Sequence, residues 1–155
     1  MEQIKLDAAS SRILRELQRD SRQTVQELSA KVGLSVSPCW RRVKELEATG
    51  VVRRYTALVE REKVGLSACI LAQVSLLRQT EGAAEQFESA MHACAEVIEC
   101  YSVTGDADYV IKVVLPDVKA YDAFLHRVMF KIKDLGTLRS MVVLREVKYE
   151  TALPV

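Results

Sequence analysis

The stretch Thr24-Val25-Gln26-Glu27-Leu28-Ser29-Ala30-Lys31-Val32-Gly33-Leu34-Ser35-Val36-Ser37-Pro38-Cys39-Trp40-Arg41-Arg42-Val43-Lys44-Glu45-Leu46 sets the organisation of the first sixty residues. Thr24 and Glu27 have capping-box spacing, in which the two side chains satisfy amide hydrogens left free at a helix start. A helix therefore begins at Val25, with Val25, Leu28 and Val32 on its inner side. Gly33 ends it, as a residue tolerant of positive φ, and Leu34 anchors the turn. Ser37 and Pro38 open the next helix. Ser37 is its cap, and Pro38 takes the first helical position, where a missing N–H costs nothing. Cys39, Val43 and Leu46 fall on one side of this helix; Ser37, Trp40, Arg41 and Lys44 fall on the other. Gly50 stops it.

Upstream, Asp7 is a good N-cap for a helix carrying Ile13, Leu14 and Leu17 on one side and fading near Asp20-Ser21. Three short helices, the last two joined by a tight Gly-containing turn and the final one cationic on its outer side, make the pattern of a helix-turn-helix. An α-helix fits the major groove, and an Arg can donate two hydrogen bonds to guanine. Val51-Val52-Arg53-Arg54-Tyr55-Thr56-Ala57-Leu58-Val59 is rich in strand formers, and Arg53 and Arg54 are positioned to meet phosphates as a wing. The same residues have a plainer reading, a solvated helical face on which Arg42 and Glu45 pair at i, i+3.

The charge distribution agrees with two units. The chain has 155 residues, 49% hydrophobic and 28% charged, with a net charge of only +1. Residues 1–60 hold 11 Lys/Arg against 8 Asp/Glu, whereas residues 61–155 hold 11 against 13. A basic front and an acidic back suggest that the front unit faces an anion. No apolar run approaches the ~20 residues needed to span a bilayer. The charged N-terminal stretch does not read as a secretory signal. Cys39, Cys69, Cys94 and Cys100 lack C-x-x-C spacing, so the expectation is reduced thiols in the cytoplasm. His92, Cys94 and Cys100 have neither the spacing nor the number for structural zinc, and no metal is expected.

Downstream, residues 67–77 read as a strand, 81–95 as a helix with Phe87, Met91 and Cys94 inward, and 97–104 as a strand. Gly105-Asp106-Ala107-Asp108 reads as a turn, and residues 109–115 form a strand ended by Pro116. Asp117 caps a helix to about residue 132, with Tyr121, Phe124, Leu125 and Val128 inward, and residues 138–144 form the last strand. The order β-α-β-β-α-β is the ferredoxin-like arrangement, an antiparallel sheet with both helices on one side. Its uncovered side is expected to be apolar enough to drive association. No G-x-S-x-G, H-E-x-x-H, G-x-x-x-x-G-K-[ST] or G-x-G-x-x-G is present, so no catalytic residues are assigned and no enzyme is expected.

Three segments together resemble the Lrp/AsnC, or feast/famine, family of prokaryotic transcription regulators: residues 34–47 its recognition helix, residues 100–109 its sensor hairpin, and residues 145–154 its tail. The resemblance implies an α+β chain with an N-terminal winged helix-turn-helix (residues 1–52), a strand-containing linker (53–66) and a βαββαβ effector-sensing and oligomerisation domain (67–155). It implies dimers that assemble into tetramers or octamers. It also implies DNA contacts from Ser35, Ser37, Trp40, Arg41, Arg42 and Lys44, and an amino-acid effector near Thr104, Gly105, Asp106 and Asp108 with Met141 and Val142. No other cofactor is implied. A Gly-turn amide suits a carboxylate and an Asp suits an ammonium; from the residues alone the same stretch is also an ordinary hairpin turn. Members commonly carry a second Asp in helix one, where this chain has Ser10, a departure that touches capping.

The functional expectation is a cytoplasmic, sequence-specific regulator of amino-acid metabolism or transport that responds to a small effector. Two alternatives stand beside it: an architectural protein that coats DNA with little sequence preference, and an amino-acid-binding module that regulates an enzyme.

Overall fold

The structure is a computed structural model that describes residues 5–77 and 80–155. It forms two compact units, one of the described residues up to Leu58 together with Lys148–Val155, the other of Val59–Val147.

The first unit holds α1 (Ala8–Arg19), α2 (Val25–Val32) and α3 (Val36–Ala48). Asp7 caps α1 by accepting the Ser10 amide at 2.7 Å. The capping box of α2 is complete: Thr24 N donates to Glu27 Oε2 at 2.7 Å, and Glu27 N donates to Thr24 Oγ1 at 3.3 Å. Gly33 closes α2 at φ 69°. The start of α3 differs from the sequence expectation. Ser35, not Ser37, occupies the cap position, without a side-chain cap bond. The physical reason is that all of the first four amides of a helix lack intrahelical partners. Pro38 is therefore tolerated as the third helical residue, and its presence does not fix the start of the helix.

Ile13 and Cys39 are fully buried, and with Leu14, Leu28, Val32, Val43 and Leu46 they form the core of this unit. A strut outside that core links the start of α1 to the middle of α3. Arg42 Nη1 donates to Asp7 Oδ2 at 2.6 Å and to Ser10 Oγ at 3.2 Å. The alternative Arg42–Glu45 pairing is thus not the one that forms; Arg42 turns back to the start of α1. The Ser10 amide and hydroxyl, with the Arg42 guanidinium, hold the Asp7 carboxyl at about 2, below its ordinary value of 3.8.

The sequence reading runs the sensor domain to residue 155. Lys148–Val155 packs with the helices of the first unit. Gln18 Nε2 donates to Leu153 O at 3.1 Å, Leu153 N donates back to Gln18 Oε1 at 2.6 Å, and Val155 lies against the helical core. The stretch 51–59, expected as a strand, joins no ladder; the one sheet among the described residues is built from other segments. β-propensity makes an extended stretch, but a strand needs a neighbour for its amides and carbonyls.

The second unit contains β1 (Ala68–Leu76), α4 (Glu81–His92), β2 (Val97–Ser102), β3 (Tyr109–Leu115), α5 (Val118–Arg127) and β4 (Leu135–Val142). The sheet runs β2-β3-β1-β4 with every pair antiparallel. Alternate residues of the two central strands, Ile70, Ala72 and Val74 with Tyr109, Ile111 and Val113, pack against Phe87 and Met91 of α4 and Tyr121 and Phe124 of α5. The Phe87 and Tyr109 rings lie 4.5 Å apart. The final helix is shorter than expected. It stops at Arg127, and a 3₁₀ turn over Met129–Lys131 follows, placing Met129 in the core with no exposed surface.

The uncovered side of the sheet is less apolar than the sequence suggests. The strand alternation puts Leu71, Val110, Val114 and Met141 there, but also Gln73, Arg139 and a Lys112–Glu99 ion pair at 3.3 Å. These polar residues are spread over central strands (Gln73, Lys112) and edge strands (Glu99, Arg139) alike, which a reading of apolar content does not resolve. β4 also starts earlier than expected, at Leu135, across a register shift at Ser75/Leu76. Gly136 permits this start, because a Cβ there would lie 2.8 Å from Ser75 O.

Two outcomes follow for stability. Gly136→Ala destabilises the sheet-containing unit by about 1–3 kcal/mol, the usual cost of overpacking against fixed backbone, read as a lower urea midpoint by circular dichroism. The Asp7 carboxylate has a lowered value in the folded chain, so its contribution is complete above 3.8 and is lost as the pH falls towards about 2. Asp7→Ala lowers the unfolding midpoint at neutral pH and flattens that acid limb. Both effects are followed through the emission of Trp40, the chain's one tryptophan.

Candidate functional site

Burial of Cys39, Val43 and Leu46 fixes which side of α3 looks outward. Ser37, Trp40, Arg41 and Lys44 are exposed there, as are Ser35 ahead of the helix and Arg53 and Arg54 beyond it. The cations on this surface are not equivalent. Arg42 is committed to Asp7. Lys44 Nζ lies 2.7 Å from Glu47, which also accepts the Tyr55 hydroxyl at 2.9 Å. These two donors pull the Glu47 carboxyl below its usual range. Burial, with the carboxylate second, pushes the Tyr55 phenol up to about 12. Arg41 makes no ion pair among the described residues.

The sequence reading places these side chains on one exposed helical surface but does not separate its charges. Asp7 and Arg42 are thirty-five positions apart, and no local spacing announces that contact. Val36 was also missed; it is exposed on the same helix, four residues before Trp40.

In the other unit the hairpin between β2 and β3 projects Thr104, Gly105 and Asp106 into solvent, with Gly105 at φ 116°. Asp108 is tied back into the sheet. Its carboxylate accepts the Leu76 amide at 2.8 Å, and its own amide donates to Val74 O at 3.0 Å. The two acids face different hollows. Asp106 lines a small polar one with Gln73, Ser75, Thr137 and Arg139. Asp108 lines one of about 440 Å³ with Leu76, Thr80, Glu81, Ser102 and Tyr109.

Met141 and Val142 do not join either hollow. They pair with Leu71 and Ile70, three to four residues along β1 from the hairpin contact at Val74. At the rise of an extended strand that is about 10–13 Å. They also point to opposite sides of the sheet, as successive strand residues must. Within one chain the hairpin and strand candidates are thus not brought together. Thr137 and Arg139, which share the side of β4 that Met141 occupies, are the residues that approach Asp106. Their signal was the two-residue period of the strand counted back from Met141.

Among the described residues no group of three or more His, Cys, Asp or Glu side chains comes together as a metal site. No described helix is long and apolar enough to cross a membrane.

Comparison with known proteins bears on both units. Residues 6–53 match the model of the winged helix-turn-helix DNA-binding domain, and residues 69–153 match that of the Lrp/AsnC ligand binding domain. The leucine-responsive regulatory protein of Klebsiella pneumoniae is 38% identical over 148 residues, covering 96% of this chain and 90% of that protein. A transcriptional regulator of Neisseria meningitidis, solved as an L-methionine complex, is 37% identical with a TM-score of 0.92, covering 97% of each chain. An AsnC-family transcriptional regulator of Agrobacterium tumefaciens is 38% identical with a TM-score of 0.92, covering 96% of this chain and 97% of that one. An N-terminal DNA-binding helix-turn-helix followed by a ligand-binding α+β domain, with relatives this similar over nearly the whole chain, makes this protein a member of the Lrp/AsnC family, a transcription regulator and not an enzyme.

Proposed function

We propose that this regulator recognises a specific DNA sequence and answers to an amino acid with an apolar side chain, thereby controlling amino-acid metabolism or transport in the cytoplasm. The observation that carries the DNA half is the outer side of α3, where Arg41 stands exposed beside Ser37 and Trp40, with no ion pair among the described residues. The effector half rests on the relatives, one solved with L-methionine and another named for leucine. The chemistry of the hairpin agrees with it. Backbone amides around Gly105 suit a carboxylate, and Asp106 suits an ammonium group.

Association completes this reading. Met141 and Val142 are too far from their own hairpin to share a ligand with it, so a pocket using both takes the hairpin from one subunit and the strand from another. Exposed Leu58, Val59, Leu144 and Val147, outside any sheet pairing, are apolar surface for such contacts. Dimers, and larger assemblies of them, present paired α3 helices to half-sites about one helical turn apart or a multiple of it. An effector acts by binding one assembly better than another.

Two measurements test the proposal. In a thermal-shift screen of the twenty amino acids, one with an apolar side chain raises the melting temperature, and Asp106→Ala removes the shift; no response to any of them removes the effector assignment. In gel retardation at fixed salt, a duplex selected from a random library outcompetes bulk DNA, and Arg41→Ala weakens it by about 1–3 kcal/mol. Binding that depends steeply on salt but not on sequence makes the protein an architectural one instead.

A further inference from the structure

The recognition helix presents two large apolar side chains among the polar ones on its exposed side. Trp40 is 52% exposed and Val36, one turn earlier, 43%. Residues four apart on a helix lie on the same side, so the two form one apolar step along α3. Trp40 has no ring contact among the described residues. Leaving the largest side chain in the chain half in water is unfavourable, and nothing in the helical core requires it, since Cys39, Val43 and Leu46 fill that role. The cations beside it are mostly spent within the fold: Arg42 on Asp7, Lys44 on Glu47. Of the Arg and Lys side chains on the helix, Arg41 alone lacks an ion pair among the described residues.

The major groove offers donors and acceptors on all four bases, but one apolar group, the C5 methyl of thymine. We infer that Trp40, with Val36, reads thymine methyls in the operator half-site, while Arg41 supplies the neighbouring polar contact. The occupant is duplex DNA because this apolar step adjoins the exposed cation Arg41 in a unit with an excess of positive charge. The inference rests on the DNA-binding reading above and adds to it a base class and a residue that selects it.

The test uses the full-length protein and a duplex selected from a random library. Each thymine of one half-site is replaced in turn by deoxyuridine, which removes the methyl and keeps the hydrogen-bonding edge. The wild type loses affinity about fourfold at one or two positions, the value of one buried methyl-sized group. Trp40→Ala binds more weakly and is indifferent to those replacements. Arg41→Ala also binds more weakly but stays sensitive to them, which separates apolar reading from general loss of contact. Circular dichroism checks that each variant keeps its helices. Because Trp40 is the chain's one tryptophan, its emission gives a direct second readout. It shifts or quenches when the thymine duplex is added, and less with the deoxyuridine duplex at equal saturation.

Selected half-sites without thymine, or equal affinity for both duplexes, overturn the inference while leaving sequence-specific binding intact. Emission that ignores DNA but changes with protein concentration also overturns it and assigns Trp40 to a contact between subunits. Failure to select any duplex overturns this inference together with the DNA-binding reading.

Discussion

The angular setting of α3 about its own axis governs the first unit. It follows from the insertion of Cys39, Val43 and Leu46 between Ile13 of α1 and Leu28 and Val32 of α2. Both Ile13 and Cys39 are wholly removed from solvent. A helix with one buried stripe can be rotated little before apolar area is returned to water, at about 25 cal/mol per Å². Given that setting, the fates of the cations follow. Arg42 lies towards the start of α1 and meets Asp7 and Ser10; Lys44 lies towards Glu47; Arg41 points away from the domain. The surface offered outward is thus the remainder after the fold has used two of three charges.

A comparable economy holds in the second unit. The carboxylate of Asp108 accepts the amide of Leu76 at the end of β1, and its backbone bonds Val74. This anchors the base of the hairpin and leaves its tip, from Thr104 to Asp106, free to meet a ligand or a neighbouring subunit. Two acids separated by one residue have different work: one is part of the scaffold, the other stands at the surface. Sequence proximity in a turn does not imply a shared site, because Asp106 is at the tip of the hairpin and Asp108 at its base, where Val103 N donates to Asp108 O.

How much of this was readable from the residues depended on the range of the interaction. The capping box at Thr24 and Glu27, the Gly33 stop and the strand-forming runs of β1 and β3 are set by neighbours within a few positions, and these elements appeared where expected. The start of α3 was displaced because Ser35 and Ser37 are both capable caps and Pro38 is admissible anywhere in the first turn. The early start of β4 depends on Gly136 passing close to Ser75 O, a contact between distant segments. In the sites, the helix and the hairpin were legible, whereas the pairing of Arg42 with Asp7 and the separation of Met141 from Asp106 were decided by packing and register. Interactions across the chain leave no periodic trace.

The position of the tail has a consequence for how the molecule is made. Leu153 pairs with Gln18, and Val155 lies against the core that Ile13 helps to form. During translation the three helices are made first, yet the residues that cover part of their flank are polymerised only after every strand of the sheet has been synthesised. Until then the nascent N-terminal unit carries an uncovered edge along α1, so its acquisition of structure has two stages separated by the synthesis time of about a hundred residues, on the order of 5–20 s at common elongation rates.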